Sequence, residues 1–206
     1  MRIHFTRHGQ SEANVAQIVS NRGLVHPLTR EGRRDARRLA TSLAGEGIAR
    51  VYTSPLLRAI ETALVVAHAL DAPLEVVDGL REVDLGALEG RGGEATWAAW
   101  RRHLATWIEP SVQPTHPPGG ESFDAVRERF ERVLSTIDAR HRAAHESVAC
   151  VGHGALYRAM LPLTVLGVDA ARFAAEGGFG HGTRVVARWT PEGLSLDAWH
   201  RDGVVG

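Results

Sequence analysis

The chain has 206 residues, 44% of them hydrophobic and 23% charged, which suits one globular domain with a sizeable core. Its 24 basic and 24 acidic residues balance, so no domain-wide positive surface points to nucleic acid, and no apolar run approaches the ~20 residues needed to cross a bilayer. Every basic residue is arginine, and the absence of lysine excludes a Schiff base and a Walker-type phosphate loop.

The run Met1–Phe5 reads as a buried strand, and Arg7-His8-Gly9 falls where that strand turns into a loop. Thr29 is placed to cap a helix in which Ala36, Leu39, Ala40 and Leu43 keep helical spacing and Arg33, Arg34, Arg37 and Arg38 mark the wet side. Gly45 and Gly47 end it. A strand over 50–53 runs into Ser54-Pro55-Leu56-Leu57-Arg58, where Ser54 is expected to cap the next helix and Pro55 to sit in its first turn. Leu56, Ile60, Ala63, Leu64 and Ala67 form that helix's apolar face. A short strand follows over 74–77. Between Glu94 and Ile108, Trp97, Trp100, Leu104 and Trp107 recur on one helical face, as core packing or as a lid over a site. The proline- and glycine-rich piece 110–120 is a loop within the domain. A long helix from about 122 to 144 turns Phe123, Val126, Phe130, Val133, Leu134 and Ile137 inward. A strand over 147–151 runs into Gly152-His153-Gly154, a helix covers about 155–166, and strands 185–189 and 194–199 form a late hairpin. Strands alternating with helices imply a single-domain, three-layer α/β/α fold over 1–206 with a mostly parallel central sheet, the hairpin adding an antiparallel edge. The stretch 94–120 is a candidate lid or insertion.

Three strand ends thus carry histidine, arginine and histidine, and in open α/β sheets ligands bind outside the carboxyl ends of strands. A phosphoryl group in transfer spreads charge over three equatorial oxygens and needs an in-line nucleophile with fixed cations around it. Neutral imidazole suits the first role, so His8 is the candidate nucleophile. Arg7 and Arg58 can offer permanently charged forks, Arg58 reaching back because helical side chains tilt toward the N-terminus. His153 can donate to a third oxygen, with Gly154 allowing close approach. Asn14 adds a neutral donor if the turn after Ser11 brings it back. Glu82 is the candidate acid that protonates the leaving oxygen. Cys150 cannot form an internal disulfide and reads as a small buried hydrophobe. His141 and His145 stand four apart on a helix, yet without Cys or Glu-rich partners and on a face that looks solvated, so no metal is expected. With a candidate loop starting at residue 7, a secretory leader is not expected and a cytoplasmic location is.

Thr6-Arg7-His8-Gly9-Gln10-Ser11-Glu12-Ala13-Asn14 resembles the opening motif of the histidine phosphatase superfamily, the phosphoglycerate-mutase-like proteins. Leu28-Thr29 with Gly32, Tyr52-Thr53-Ser54-Pro55-Leu56-Leu57-Arg58-Ala59, Leu80-Arg81-Glu82, Pro118-Gly119-Gly120-Glu121-Ser122 and Val151-Gly152-His153-Gly154 resemble its later segments, in family order along nearly the whole chain. The resemblance implies a phosphohistidine at His8, a phosphate pocket of Arg7, Arg58 and His153, Glu82 as general acid, and no metal or organic cofactor. Asn14, Ser20, Asn21 and Gly154 join these as candidate phosphate or substrate contacts. Gln10, Leu88, the loop Ser20–His26 and Phe179-Gly180-His181-Gly182 depart from the family pattern, so the resemblance leaves the substrate open. The expected activity is hydrolysis of a small phosphorylated metabolite, with no nucleic-acid or membrane partner. A phosphoglycerate mutase and an inactive phospholigand-binding protein are the alternatives.

Overall fold

The period-two alternation of β4 (Ser147–Gly152) sets the layers: Val148 and Cys150 enter one core and Ala149 and Val151 the other, all fully buried. A strand covered on both faces lies in the middle of its sheet. The computed structural model describes residues 1–109, 111–169, 171, 173 and 178–201; Pro110, at the start of the expected 110–120 loop, and the last five residues of the expected 1–206 domain lie outside them. β4 runs between β1 (Arg2–Arg7) and β2 (Ile48–Thr53), parallel to both, and β3 (Leu74–Val76) pairs in parallel beyond β2. β5 (Arg184–Thr190) joins β1 antiparallel and β6 (Gly193–His200) closes the hairpin, giving the order β3-β2-β4-β1-β5-β6.

Helices cover both faces. Besides the short α1 (Glu12–Ala16), α2 (Arg30–Leu43) and α3 (Leu57–Leu70) pack Leu39, Leu43, Ala63 and Val66 against Val51, Ala149 and Val151. α4 (Glu94–Ile108), α5 (Phe123–His141) and α6 (Gly154–Thr164) bring Trp100, Phe130 and Leu156 to the face of Phe5, Tyr52 and Cys150. The result is one α/β domain in three layers. Among the described residues, no helix is long and apolar enough to cross a membrane.

Side-chain caps start three of the described helices, α1, α2 and α5. Thr29 caps α2 as expected, its hydroxyl accepting Gly32 N–H at 3.0 Å, and Ser122 caps α5 through Ala125 N–H at 3.2 Å. Ser54 does not cap α3, whose N-cap is Leu56 with no side-chain bond. The Ser54 hydroxyl accepts Leu56 N–H at 3.2 Å, just ahead of the helix, and also takes a bond from His153. α5 stops at His141 rather than near 144, because His145 takes a left-handed conformation (φ 55°) and Glu146 N–H returns to His141 O. His141 lies inside, not on a solvated face: its nitrogens go to Glu146 and the Tyr52 hydroxyl, which leaves neither for a metal. α6 ends at Thr164 because Leu166 turns to pair with Leu194 and Leu196.

Candidate active site

Strand order delivers three loops to one place. The β1–β4 ladder pairs Arg7 with Gly152 and continues one bond further, His8 N–H donating to Gly152 O at 3.1 Å. On the other side of β4, Ser54 N–H donates to Val151 O at 3.1 Å. His153, the next residue along β4, therefore emerges between His8 and Ser54. Gly9 serves close approach rather than an unusual dihedral: a Cβ there would stand 2.3 Å from Gly32 O at the start of α2. The loop is held from below by Thr62, whose hydroxyl accepts Gly9 N–H at 3.1 Å, and by Asp35, which accepts Gln10 N–H at 2.9 Å.

His8 is fixed in one tautomer. Its Nδ1–H donates to Gly9 O at 2.7 Å, an assignment that follows from the carbonyl partner and leaves the lone pair on Nε2. Arg58 Nε–H donates to that nitrogen at 3.1 Å. Arg58 sits in the first turn of α3 and reaches back to the strand ends, also donating to Ser20 O at 2.6 Å and Asn21 Oδ1 at 3.3 Å. His153 turns Nδ1 to Arg58 Nη2 at 3.4 Å and donates from Nε2 to the Ser54 hydroxyl at 2.7 Å. Its ring is fully buried, 5.0 Å from the His8 ring, and does not line the cavity. Burial first, and the neighbouring guanidiniums second, hold both imidazoles well below the ordinary histidine range, so both are neutral near pH 7. Burial also lowers Arg58, to about 10, which leaves it charged.

Arg7 donates from Nη1 to Phe179 O at 2.9 Å, while its Nε is buried with no partner among the described residues. Its guanidinium lies on Gly154, where a Cβ would come 3.2 Å from Arg7 Cζ. Gly154 thus makes room for Arg7, and it also lines the cavity of the site. Glu82 sits at the start of α6, where helix N–H groups are free and the dipole favours an anion. Its Oε1 accepts Leu156 N–H at 2.8 Å and Val83 N–H at 3.0 Å, and its Oε2 accepts Ala155 N–H at 3.1 Å. The buried Arg129 pins the Glu82 loop, donating to Gly79 O at 2.9 Å and Arg81 O at 2.8 Å while pairing with Glu121 at 2.9 Å.

These groups open onto a cavity of about 390 Å³. Asn14 is brought back as the Ser11 turn predicts: Oδ1 accepts Ser11 N–H at 2.9 Å, which leaves Nδ2 for the cavity. Asn21 lines it but works as a strut, donating to Val83 O at 2.8 Å and bracing Arg58. The Ser20 hydroxyl is buried with no partner among the described residues. α4 forms one wall through Trp97, Trp100 and Leu104. Trp100 is also core, packed edge-on to Trp107 at 5.7 Å, and Trp107 turns away toward Phe123 at 5.6 Å. The lead-in to α4 is stitched to the Ser20 loop by Val19 N–H to Arg91 O at 2.8 Å, Gly90 N–H to Val19 O at 2.9 Å and Trp97 Nε1–H to Gln17 O at 3.0 Å.

The model of the histidine phosphatase superfamily (branch 1) matches residues 3–202. The chain belongs to that superfamily. Phosphoserine phosphatase 1 of Hydrogenobacter thermophilus is 30% identical over 178 residues, covering 86% of this chain and 82% of the relative. The adenosylcobalamin/alpha-ribazole phosphatase of Salmonella typhimurium is 35% identical over 139 residues, 68% of each chain. A mycobacterial glucosyl-3-phosphoglycerate phosphatase solved with VO3 superposes with a TM-score of 0.80 at 25% identity, covering 98% of this chain and 99% of its own.

The sequence places Arg7, His8, Arg58 and His153 at the strand ends where the structure has them, but misses the residues that hold them. Ser54, Thr62, Glu89 and Arg129 carry no local signal of their role. Glu89 accepts Asn21 N–H at 2.8 Å and Leu85 N–H at 3.1 Å. His181 donates from Nδ1 to His8 O at 2.9 Å, its ring 5.6 Å from the His8 ring. The unusual segment Phe179-Gly180-His181-Gly182 was the one available hint: Phe179 and His181 clasp Arg7 and His8 from above.

Proposed function

We propose that the protein hydrolyses a small-molecule phosphomonoester through a phosphohistidine at His8 Nε2. The observation that carries the reading is the His8 tautomer: Nδ1–H is spent on Gly9 O, so Nε2 holds a lone pair beside Arg7 and Arg58. Nε2 attacks phosphorus while the phosphorus–oxygen ester bond breaks. Arg58 Nε–H transfers its hydrogen bond from the imidazole to a phosphoryl oxygen, and Arg7 Nε, Asn14 Nδ2 and the Ser20 hydroxyl supply further donors. Protonated Glu82 gives its proton to the departing alkoxide. Water then attacks the phosphohistidine, the Glu82 carboxylate takes a proton from it, and the nitrogen–phosphorus bond breaks to release phosphate. His153 acts behind Arg58, held by Ser54. The relatives named for phosphoserine, alpha-ribazole and glucosyl-3-phosphoglycerate phosphatase support a small phosphorylated substrate. A cytoplasmic setting accompanies this reading.

Rapid quenching at alkaline pH with a labelled phosphomonoester is expected to trap an acid-labile, base-stable phosphoenzyme in the wild type and none in His8→Ala, with turnover abolished. A wild-type level of label in His8→Ala would overturn the assignment.

A further inference from the structure

We propose that His181 is a positioning residue for the nucleophile: with Thr62 it clamps the His8–Gly9 peptide, and that clamp holds the His8 imidazole in its attacking tautomer. The inference rests on the phosphatase reading and adds a residue to it. The His8 carbonyl and the Gly9 N–H belong to one peptide plane. His181 Nδ1–H donates to the carbonyl at 2.9 Å, and the Gly9 N–H donates to the Thr62 hydroxyl at 3.1 Å, so the plane is held at both ends. Burial first and Arg7 second keep His181 below the ordinary histidine range, so it is neutral near pH 7. The carbonyl partner then assigns its one ring proton to Nδ1.

Gly9 makes such a clamp necessary. Close approach to Gly32 O forbids a Cβ there, and a residue without one turns easily about its backbone torsions. The Gly9 carbonyl accepts the His8 Nδ1–H at 2.7 Å. A change in ψ at His8 or in φ at Gly9, the two torsions that flank the clamped peptide, moves that acceptor away from the ring and releases the tautomer. The sheet does not restrain the His8 carbonyl from the β5 side. β1 and β5 pair from Arg2 with Arg188 to Thr6 with Arg184, a register that would next oppose His8 to Gly182. Gly182 has a positive φ of 78°, and Thr183 N–H closes a turn on Gly180 O at 3.2 Å, so the ladder stops short. The same turn brings the His181 ring to 5.6 Å from the His8 ring, edge-on at 62°, and its side chain takes the carbonyl that the strand leaves unpaired.

The test moves the donor at position 181. Asparagine puts its Nδ2 where the histidine Nδ1 stands, glutamine carries the donor one bond further out, and leucine removes it. With p-nitrophenyl phosphate, His181→Leu and His181→Gln are expected to lower kcat by about tenfold, the scale of one lost hydrogen bond, with KM and inhibition by inorganic phosphate nearly unchanged. His181→Asn is expected to stay close to wild type. Nitrogen-15 spectra of the histidine side chains read the same clamp without turnover. They are expected to show one Nδ1-protonated His8 in wild type and His181→Asn, and averaging of the two tautomers in His181→Leu and His181→Gln. Because Thr62 and His181 hold one peptide, the losses in Thr62→Val and His181→Leu are expected to be less than additive in the double variant. If His181→Leu fails to fold, the asparagine and glutamine variants carry the comparison. Wild-type kcat in His181→Leu, equal losses in His181→Asn and His181→Gln, additive losses with Thr62→Val, or one fixed His8 tautomer throughout overturns the clamp and leaves the phosphatase reading intact. A wild type that hydrolyses no phosphomonoester overturns that reading, and the nitrogen spectra still judge the clamp.

Discussion

Replacing Glu82 by Gln separates two jobs that the side chain holds at once. As a clasp, the carboxylate accepts three N–H groups, two on Oε1 and one on Oε2. An amide oxygen can keep the Oε1 pair, but its NH2 then faces the Ala155 N–H, and an unmet donor of this kind costs about 1–3 kcal/mol. As a general acid, Glu82 contributes a proton that Gln lacks, which is worth about 10²–10⁴-fold for an alkoxide leaving group. Nitrophenolate departs without that help. The clasp cost falls on every substrate, whereas the acid cost falls only on alkyl esters. We expect Glu82→Gln to lower kcat/KM for an alkyl phosphate by about 10²–10⁴-fold. p-Nitrophenyl phosphate should lose no more than the clasp's share, which urea unfolding of the same variant measures independently. Equal losses on the two esters would reduce Glu82 to a structural cap on α6 and refute its role as the acid. Glu89 would not replace it, since its oxygens are taken by Asn21 and Leu85 and it does not line the cavity.

Trp100→Ala should cost about 3–5 kcal/mol of stability and also raise KM for bulky esters, because the residue is both core and cavity wall. Trp97→Ala, at a half-buried position, should raise KM with a smaller drop in melting temperature, and equal drops would contradict the packing described. His4 gives a pH prediction. It is fully buried, accepts from Arg184, and is held down to about 4, chiefly by burial. Its unfolded-state value is near 6.5, so the unfolded chain binds a proton that the folded protein refuses. Its contribution is intact above about 6.5 and is lost as pH falls toward 4, up to about 3 kcal/mol. Urea unfolding between pH 7 and 4.5 should show a shallower acid loss in His4→Gln than in wild type, and parallel profiles would count against the reasoning.

What the sequence made legible is what local patterns encode. Short apolar runs marked β1, β2 and β4, and Arg7-His8-Gly9, Arg58 and Gly152-His153-Gly154 fell at their ends because strand-to-loop transitions carry their own residue grammar. The spacing of Trp97, Trp100 and Leu104 identified α4 but could not choose between core and wall, since a helix face against a cavity has the same period as one against other side chains. The support of the site was not readable. Ser54 looks like a helix cap until His153, 99 positions away, takes its hydroxyl. Arg129 resembles any other arginine on a long helix, yet it is buried and grips carbonyls 48 and 50 positions earlier. Asn21 looks like a ligand contact, and its amide is spent on Val83 and Arg58. Such bonds join distant loops and leave no period in the chain.

The position of β1 between β4 and β5 has a consequence for how the molecule is made. Arg2 pairs with Ser147 on one side and Arg188 on the other, so this apolar strand is synthesised well before either neighbour exists. At about 5–20 residues per second, a nascent chain carries it for roughly 7 s or more without a ladder partner. The His8 loop leaves the ribosome long before the clasp of Phe179 and His181 follows it. A chain stalled before β4 emerges exposes β1 with two open edges, and one stalled between β4 and β5 still leaves one edge open, the form most prone to pair with the wrong partner.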